Sequence, residues 1–245
     1  KIFLNFKFNG WSKYNNYLRD NKINNFISKK MKVRKIEPKI KFKKTYKPIV
    51  LEGGAIDVNG KGSILLTEEC LLSTTQQRNK GFKKKDYEKY LSKLLNINNF
   101  IWLKKGIEGD DTHGHIDDIS RFVSENTIMT AVEKNKNEKN FQILNDNLII
   151  LKKVKNKNKK KFKIIKIPMP KPIFIDNIKV PASYLNFLIT NKTVLVPMFE
   201  DKNDIKVIRI FKKFFRKRKI IGINCKKLIW GFGAVHCMTL QEPSI

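Results

Sequence analysis

The feature that most constrains the fold is a repeat with a period close to 65 residues. Three segments each combine an apolar strand, a short polar turn and a second β-branched strand, which predicts three β-hairpins. They cover residues 55–67 (AIDVNGKGSILLT), 119–132 (ISRFVSENTIMTAV) and 184–198 (YLNFLITNKTVLVPM). Aligning Val58, Val123 and Ile189 gives steps of 65 and 66 residues. A period this long is typical of supersecondary modules that stack or close into a ring.

Each hairpin is followed by a helical pattern and then by another strand. Three segments carry apolar residues at helical spacing, which predicts one buried face on each helix. These faces comprise Tyr87, Tyr90, Leu91, Leu94 and Leu95, then Phe141, Leu144, Leu148 and Leu151, and then Ile205, Ile208, Phe211 and Phe215. The strands that follow are predicted at 99–104, 162–168 and 219–224. The predicted fold is therefore α/β, with three β-β-α-β modules and partial modules at 1–31 and 228–240.

The composition raises the question of a polyanion partner, because the formal charge is +30 and the pI is near 10. Only seven of the 52 basic residues are Arg, however, whereas sequence-specific nucleic-acid contacts depend heavily on Arg. Lys rises together with Asn and Ile, as an AT-rich coding sequence would produce. We therefore favour mutational bias over selected polyanion binding as the origin of the charge, although the charge could still promote nonspecific attraction to RNA or to a membrane surface. The Lys-rich segment 152–163 is predicted to be a solvated loop or a frayed helix end.

The cysteine count favours a reduced protein. Cys70, Cys225 and Cys237 are odd in number and widely spaced, which fits a cytoplasmic protein better than a disulfide framework. The three His and three Cys lack the paired spacing of a zinc site. No apolar run reaches membrane-spanning length, so we expect no membrane partner. The chain begins at Lys1 within a strand-like segment, from which we expect further sequence upstream.

Polar side chains precede the hairpins at equivalent points of the repeat. Glu52 precedes the first hairpin, and the segment 106–119 (GIEGDDTHGHIDDI), with the only acidic cluster of this basic chain, precedes the second. Asn186 lies at the third, and His236-Cys237 lies in the closing segment. Taken singly, a Glu-Gly-Gly is usually a turn, and a strand cysteine usually packs in the core. Their shared position in the repeat instead predicts that they converge on one pocket.

Such a set of side chains indicates a definite chemistry. Paired carboxylates suit a planar guanidinium, which donates bidentate hydrogen bonds to them and is a poor electrophile. Carboxylates at both edges could hold the guanidinium square to an attacking thiolate. A histidine is then needed to protonate the departing ammonia and to activate water.

These motifs resemble the agmatine deiminase and bacterial peptidylarginine deiminase family, which belongs to the guanidine-modifying superfamily. The resemblance extends from FNGWSKY (8–14) to the C-terminus, through segments 50–72, 101–123, 181–189 and 231–243. GDDTHGHID and HCMTLQ, in this order and spacing, are its most specific parts. The resemblance implies a pentein fold, which is a five-module α/β propeller, in a single deiminase domain spanning residues 1–245.

The resemblance also implies roles for individual residues. Cys237 would be the nucleophile that forms an amidino-cysteine intermediate, His115 the general acid/base, and Asp117 a ligand of the guanidinium. Glu52 matches the family's active-site glutamate, Asn186 matches a polar residue of the site, and Asp111 is a further candidate for substrate binding. His113 and His236 receive no role. The implied reaction converts agmatine and water to N-carbamoylputrescine and ammonia, a step of putrescine biosynthesis, with no metal or organic cofactor.

The chain departs from the family pattern in two places. A Trp-x-Arg-Asp-x-Gly-Pro motif that supplies another substrate aspartate is expected upstream and is absent, together with roughly the N-terminal third of the pattern. Phe232 and Ala234 replace the expected Gly and Asn before His236-Cys237. Peptidyl-arginine or another guanidine is therefore an alternative substrate, and a truncated, non-catalytic protein that binds nucleic acid is a second alternative. The oligomeric state stays open, a homo-oligomer included.

Overall fold

The computed structural model describes residues 1–42 and 44–242. The leading part consists of β1 (Ile2–Leu4), α1 (Asp20–Lys30) and β2 (Arg34–Ile36), and β1 and β2 pair in parallel. The antiparallel hairpin of β3 (Lys39–Phe42) and β4 (Thr45–Pro48) follows. Helix α1 begins later than residue 15, where the sequence pattern places it, because the preceding residues form turns. Gly10, Trp11 and Ser12 all have positive φ there.

Three modules with one topology make up the rest of the chain. The first contains β5 (Asp57–Val58), β6 (Ser63–Thr67), α2 (Glu68–Leu72), α3 (Lys84–Leu95) and β7 (Asn99–Leu103). The second contains β8 (Ser120–Ser124), β9 (Thr127–Val132), α4 (Lys139–Lys153) and β10 (Lys163–Pro168). After the small hairpin of β11 (Ile173–Ile175) and β12 (Ile178–Val180), the third contains β13 (Leu188–Ile189), β14 (Thr193–Met198), α5 (Asp204–Phe214) and β15 (Lys219–Asn224).

In every module the first two strands form an antiparallel hairpin, and the helix carries the chain to a third strand parallel to the second. The predicted β-β-α-β unit is thus confirmed three times, with each strand and helix within a few residues of its predicted bounds. Val58 and Ile189 also take the same place in their hairpins, because they pair with Ile64 and Val194 next to the turn.

The helices bury most of the predicted faces. Tyr87 and Leu91 in α3 and Leu144, Leu148 and Leu151 in α4 are buried. The prediction for Ile205 in α5 is wrong, since this residue is 67% exposed. The buried stripe of α5 instead runs through Val207 and Phe211, four residues apart, and Ile205 lies on the other side of the first turn.

Successive side chains of a strand are buried in two different hydrophobic clusters. Ile64 and Leu66 of β6 face a cluster that includes Tyr87 and Leu91 of α3. Leu65, between them, faces a larger cluster that extends through the second and third modules. Successive strand side chains point to opposite faces, so this sheet is buried on both sides and lies between its own helix and the next module.

Successive modules are joined by polar contacts that span about one repeat. Arg121 donates to Asp57 one module earlier and to the carbonyls of Leu185 and Phe187 one module later, over separations of 64 to 66 residues. The hydroxyl of Ser183 likewise donates to the carbonyl of Asp118, 65 residues away. Because the same step recurs, the segments that precede the hairpins face one another.

The closing segment contains a short 3-10 helix, Leu228–Gly231, after which His236 and Cys237 lie in a turn. In the Lys-rich segment, α4 continues to Lys153, Lys155 and Lys161 form an isolated bridge, and Phe162 is buried. None of the helices in residues 1–42 and 44–242 has the length and apolar character needed to cross a bilayer.

Candidate active site

Two short turns bring the first two groups of polar side chains together. Glu52 immediately precedes the 3-10 turn Gly53–Ala55, and His115 immediately precedes the 3-10 turn Ile116–Asp118 in the next module. Nε2 of His115 lies 3.5 Å from Oε2 of Glu52, and Nδ1 lies 4.0 Å from Oδ1 of Asp117. The imidazole therefore lies between two carboxylates that come from different modules.

The loop that carries His115 is shaped by Asp110. One carboxylate oxygen of Asp110 accepts from the backbone and hydroxyl of Thr112, and the other accepts from the backbone N–H groups of Gly114 and His115. Gly114 has a φ of +92°, and its Cα would lie 2.4 Å from any Cβ added at Gly106. The Gly and Asp residues of GDDTHGHID are thus needed to turn the backbone and present the imidazole.

Asn186 holds the closing segment against the second module. Its Oδ1 accepts from the backbone N–H groups of His236 and Cys237 at 2.9 and 3.1 Å. Its Nδ2 lies 2.9 Å from Oδ1 of Asp118 and 2.9 Å from Sγ of Cys237. The buried amide therefore fixes the position of the thiol relative to the Asp117-Asp118 pair.

Asp117 is fully buried and has one free oxygen. Its Oδ2 lies 2.7 Å from Nδ1 of His236, 3.3 Å from Nδ2 of Asn186 and 3.5 Å from Sγ of Cys237. Its Oδ1 has no hydrogen-bond partner in the part of the chain that the structure describes. A buried, unsatisfied carboxylate oxygen is costly unless a donor reaches it, so Asp117 is poised to accept from a ligand.

His115 is surrounded by groups that favour its charged form. Burial lowers its pKa, but the Cys70 and Glu52 side chains raise it more, so the pKa of His115 lies well above the usual value. The Cys70 sulfur, a His115 ring nitrogen and a Glu52 carboxylate oxygen all lie within 4.8 Å of one another. Burial raises the pKa of the Glu52 carboxyl, but His115 and Arg78 lower it by more. The pKa of Glu52 therefore lies below its usual value, which favours the ionised form.

Arg78 forms a buried ion pair with Glu52. Its Nε lies 2.9 Å from Oε1 and 3.2 Å from Oε2 of Glu52, and its side chain is 0% exposed. The terminal nitrogens donate to the backbone carbonyls of Gln76 and Thr112. All three guanidinium nitrogens are thus occupied by the protein, so Arg78 acts on the other side chains rather than on solvent.

The Cys237 thiol sits in a negative environment. Partial desolvation of Sγ, followed by the charges of Asp117 and Asp118, raises the pKa of the thiol far above the usual value, although the residue as a whole is exposed to solvent. Burial and the neighbouring Asp117 and Asp110 also raise the pKa of Asp118, whereas His236, His115 and Arg121 lower the pKa of Asp117 against its own burial. The surroundings therefore favour the ionised form of Asp117 and the protonated form of Asp118, relative to ordinary carboxyl groups. A cation placed between Asp117 and Cys237 would favour the thiolate.

Two glycines leave room for these side chains. A Cβ at Gly54 would lie 2.5 Å from Nδ1 of His115 and 3.0 Å from both carboxylate oxygens of Asp117. A Cβ at Gly233 would lie 2.7 Å from Cβ of Cys237. Both glycines are required by close approach to the site rather than by an unusual φ, because neither has a positive φ.

The structure brings together five of the six residues that the sequence singles out: Glu52, His115, Asp117, Asn186 and Cys237. Asp111 contacts other groups, because its carboxylate pairs with Lys13 and accepts from the Tyr14 hydroxyl at 2.7 Å. These contacts attach the leading part of the chain to the His115 loop.

Sequence reasoning missed four side chains near the cluster: Cys70, Arg78, Asp118 and His236. No role is expected for His236 from the sequence, yet its ring is hydrogen-bonded to Asp117. Arg78 had a usable signal, because it is one of only seven Arg in a chain that otherwise uses Lys. Cys70 had none, since a cysteine in an apolar segment is indistinguishable from a core residue. His113 lies outside this cluster and contacts Ser73 at 3.1 Å.

Two groups of side chains have donor atoms close enough to hold a metal ion: Glu52 with Cys70 and His115, and Asp117 with Asp118 and Cys237. In the first group the Arg78 guanidinium already occupies both oxygens of Glu52, which opposes a second cation. In the second, an ionised carboxylate next to a thiol offers a place for an organic cation as well as for a metal.

The comparison with protein families identifies the class. The model of the Porphyromonas-type peptidyl-arginine deiminase family matches residues 1–243. The chain therefore belongs to this family of deiminases that act on guanidino groups.

Similar proteins include a Marinomonas sp. protein described as "Putative agmatine deiminase", which is 33% identical over 213 residues. That alignment covers 80% of this chain and 57% of the relative, so the chain spans somewhat more than half the length of its curated relatives.

Solved structures show the same fold. The agmatine deiminase of Enterococcus faecalis matches with a TM-score of 0.87 and 29% identity, over 98% of this chain and 69% of that one. The agmatine deiminase of C. jejuni, solved with substrate bound, matches with a TM-score of 0.82 and 30% identity, over 96% and 66%. The mixed α/β architecture of this chain is thus that of agmatine deiminases.

Proposed function

We propose that the protein is a guanidine deiminase that converts agmatine and water to N-carbamoylputrescine and ammonia. The observation that carries the proposal is the arrangement around Asp117. One of its oxygens lies 3.5 Å from the Cys237 thiol, while the other lacks a partner and lies 4.0 Å from His115. A guanidinium bound by Asp117 would lie within reach of both the nucleophile and the acid/base.

The fold context supports this proposal. Modules joined by contacts one repeat apart, with their entry loops directed at one cluster, are what a pentein-type α/β propeller requires. We propose that residues 1–245 belong to a single domain of this type, with the cluster near its axis. The longer relatives contain sequence beyond this chain, so activity is a property to test on the full-length protein.

In the first half of the reaction, the guanidinium donates a hydrogen bond to Oδ1 of Asp117, which has no other partner among the described residues, and brings positive charge next to Cys237. That charge favours loss of the thiol proton to solvent, which the carboxylates oppose when no cation is bound. The thiolate attacks the central guanidinium carbon, and a C–S bond forms. The C–N bond to the terminal nitrogen then breaks as His115 donates a proton to the departing ammonia. The product of this step is an amidino-cysteine on Cys237.

In the second half, His115 accepts a proton from water, which attacks the same carbon. The C–S bond breaks, the ureido product leaves, and the thiol is regenerated. Asn186 keeps Sγ in place through both steps, because it binds the sulfur and the backbone of the same residue. Glu52 keeps the imidazole oriented between the two steps.

The substrate is decided by an assay of ureido product with agmatine, arginine and a peptidyl-arginine side by side. We expect agmatine to be the best substrate and Cys237→Ala to abolish product. His115→Ala should slow or trap the covalent step while leaving the protein folded. A preference for peptidyl-arginine would show that the protein is a deiminase of peptidyl-arginine, the alternative suggested by Phe232 and Ala234. Absence of product with every guanidine would overturn the deiminase proposal.

The charge of +30 supports a separate test for polyanion binding. We expect any RNA binding to fall steeply with salt and to show no sequence preference. Sequence-selective binding that resists salt, together with inactivity toward guanidines, would favour the non-catalytic alternative.

A further inference from the structure

The buried ion pair of Arg78 and Glu52 bears directly on the acid/base group. Oε2 of Glu52 is 3.5 Å from Nε2 of His115 and also 3.2 Å from Nε of Arg78. One carboxylate oxygen is therefore shared by a fixed cation and by the imidazole. Because Arg78 and Glu52 balance each other in charge, a proton on His115 adds a net positive charge to this buried group.

Arg78 also holds the backbone of the loop that precedes His115. One of its terminal nitrogens donates to the carbonyl of Thr112, three residues before His115, and the other donates to the carbonyl of Gln76. Gln76 in turn donates to the carbonyl of Asp111 in the same His115 loop. Substituting Arg78 would therefore remove both the positive charge beside Glu52 and the hydrogen bonds that hold the His115 loop.

The proposed chemistry needs His115 to work in both directions. It must be protonated when ammonia departs and unprotonated when water attacks, and a proton-transfer group does this best when neither form is strongly preferred. Glu52 and Cys70 favour the charged imidazole even with Arg78 in place, and Glu52 without Arg78 would favour it more strongly. A cation that shares the same carboxylate weakens that preference.

We propose that Arg78 is a positioning residue that shares the Glu52 carboxylate with His115 and so allows His115 to release its proton in the second half of the reaction. This inference rests on the proposed deiminase chemistry. It gives Arg78 a place in the mechanism without contact to the substrate.

Other charged and titratable groups near His115 act in the same volume and enter the design of the test. They are Glu52 and Cys70 from the first module, Asp117 and Asp118 from its own turn, and Arg78 from the loop after α2. Cys70, Asp117 and Asp118 are left unchanged in every variant, so differences between variants report on the Arg78-Glu52 pair.

The test follows the His115 imidazole by NMR titration in the full-length protein carrying Arg78→Met, Arg78→Lys or Glu52→Gln. The His115 resonance is identified as the one that disappears in His115→Gln, and single substitutions of His113 and His236 identify the resonances of the other two His of this chain. Removing the cation should raise the pKa of His115, and removing the carboxylate should lower it. Arg78→Lys, which keeps the charge, should stay near the parent protein. A merely structural role for Arg78 predicts no such opposed shifts.

Kinetics supply the second readout. In Arg78→Met we expect the hydrolytic half-reaction to slow at least ~10-fold more than formation of the covalent adduct, since loss of general-base action costs about 10²–10⁴-fold when complete. The amidino adduct on Cys237 should then accumulate, as measured by intact mass. Equal slowing of both halves, with an unchanged His115 titration, would overturn the inference.

Two further outcomes remain decisive. If Arg78→Met does not fold because Glu52 is left unpaired, the double variant Glu52→Gln/Arg78→Met removes both charges. Its His115 pKa should exceed that of Glu52→Gln alone, and equal values would refute the role. If the parent protein turns over no guanidine, the deiminase proposal fails, yet the NMR titration still shows whether Arg78 controls His115.

Discussion

Nδ1 of His236 lies 2.7 Å from Oδ2 of Asp117, although the two residues are 119 positions apart. An ionised carboxylate only accepts hydrogen bonds, so the His236 ring must donate its Nδ1 proton to Asp117. The residue next to the nucleophile thus orients the carboxylate that is proposed to bind the substrate. The other oxygen of Asp117 remains free for a ligand.

The first prediction concerns this contact. Hydrogen bonds to charged groups are worth about 1.5–3 kcal/mol, so His236→Ala should lower kcat/KM by roughly 10- to 100-fold. His236→Asn, which can present an N–H near the same point, should recover part of the loss. Steady-state kinetics on agmatine measure both, and equal losses in the two variants would show that the donor to Asp117 is not what matters.

The second prediction concerns the reactivity of Cys237. Because burial and two carboxylates raise the pKa of the Cys237 thiol, a neutral alkylating agent such as chloroacetamide should react slowly at neutral pH. The cationic analogue chloroacetamidine can bind at Asp117 and should react much faster. Mass spectrometry of timed samples measures both rates.

Cys237→Ser, in which the buried Cys70 and Cys225 remain, is the control for labelling at other sites. A neutral reagent that reacts as fast as the cationic one would contradict the role of Asp117 in raising local cation affinity.

The third prediction concerns stability and pH. Burial and the neighbouring carboxylates raise the folded-state pKa of Asp118. A group whose pKa is raised by folding contributes most below its unfolded value, near 4, and that contribution is lost as pH rises through the folded pKa. Asp118→Asn keeps an oxygen that can accept from Asn186 and removes the titration.

The free energy of unfolding, measured by urea denaturation, should therefore increase in Asp118→Asn relative to the parent protein as pH rises from about 4 toward neutrality. Asp118→Ala, which also loses the acceptor for Asn186, should show the same dependence on pH but be less stable than Asp118→Asn at every pH. A difference between parent and Asp118→Asn that does not change with pH would show that folding does not raise the pKa of Asp118.

Sequence reasoning recovered the modules because their signals are local. Hairpin turns and helical spacing depend on neighbouring residues, so 57–103, 120–168 and 188–224 could be assigned strand by strand. Ile205 was misassigned because one turn of helix offers apolar residues on both sides, and only packing against the sheet decides which is buried.

The cluster itself was predictable only in part. Glu52, His115, Asp117, Asn186 and Cys237 share a position in the repeat, and the repeat is visible in the sequence. The hydrogen bonds of His236 and the ion pair of Arg78 join residues from different modules with no shared motif. Such contacts follow from the three-dimensional arrangement of the loops, and no spacing in the sequence encodes them.

The last prediction uses two adjacent glycines that differ only in what surrounds them. A Cβ at Gly54 would lie 2.5 Å from the His115 ring and 3.0 Å from the Asp117 carboxylate, whereas a Cβ at Gly53 meets nothing within 4 Å. Neither glycine has a positive φ, so alanine causes no backbone strain at either position. Gly54→Ala must displace the imidazole or the carboxylate, and a shift of about 1 Å can cost ~100-fold in rate. Gly53→Ala should keep near-parental kcat/KM, and both variants should keep the circular dichroism spectrum of the parent. If Gly53→Ala loses as much activity as Gly54→Ala, the effect arises from the turn itself and not from crowding of His115 and Asp117.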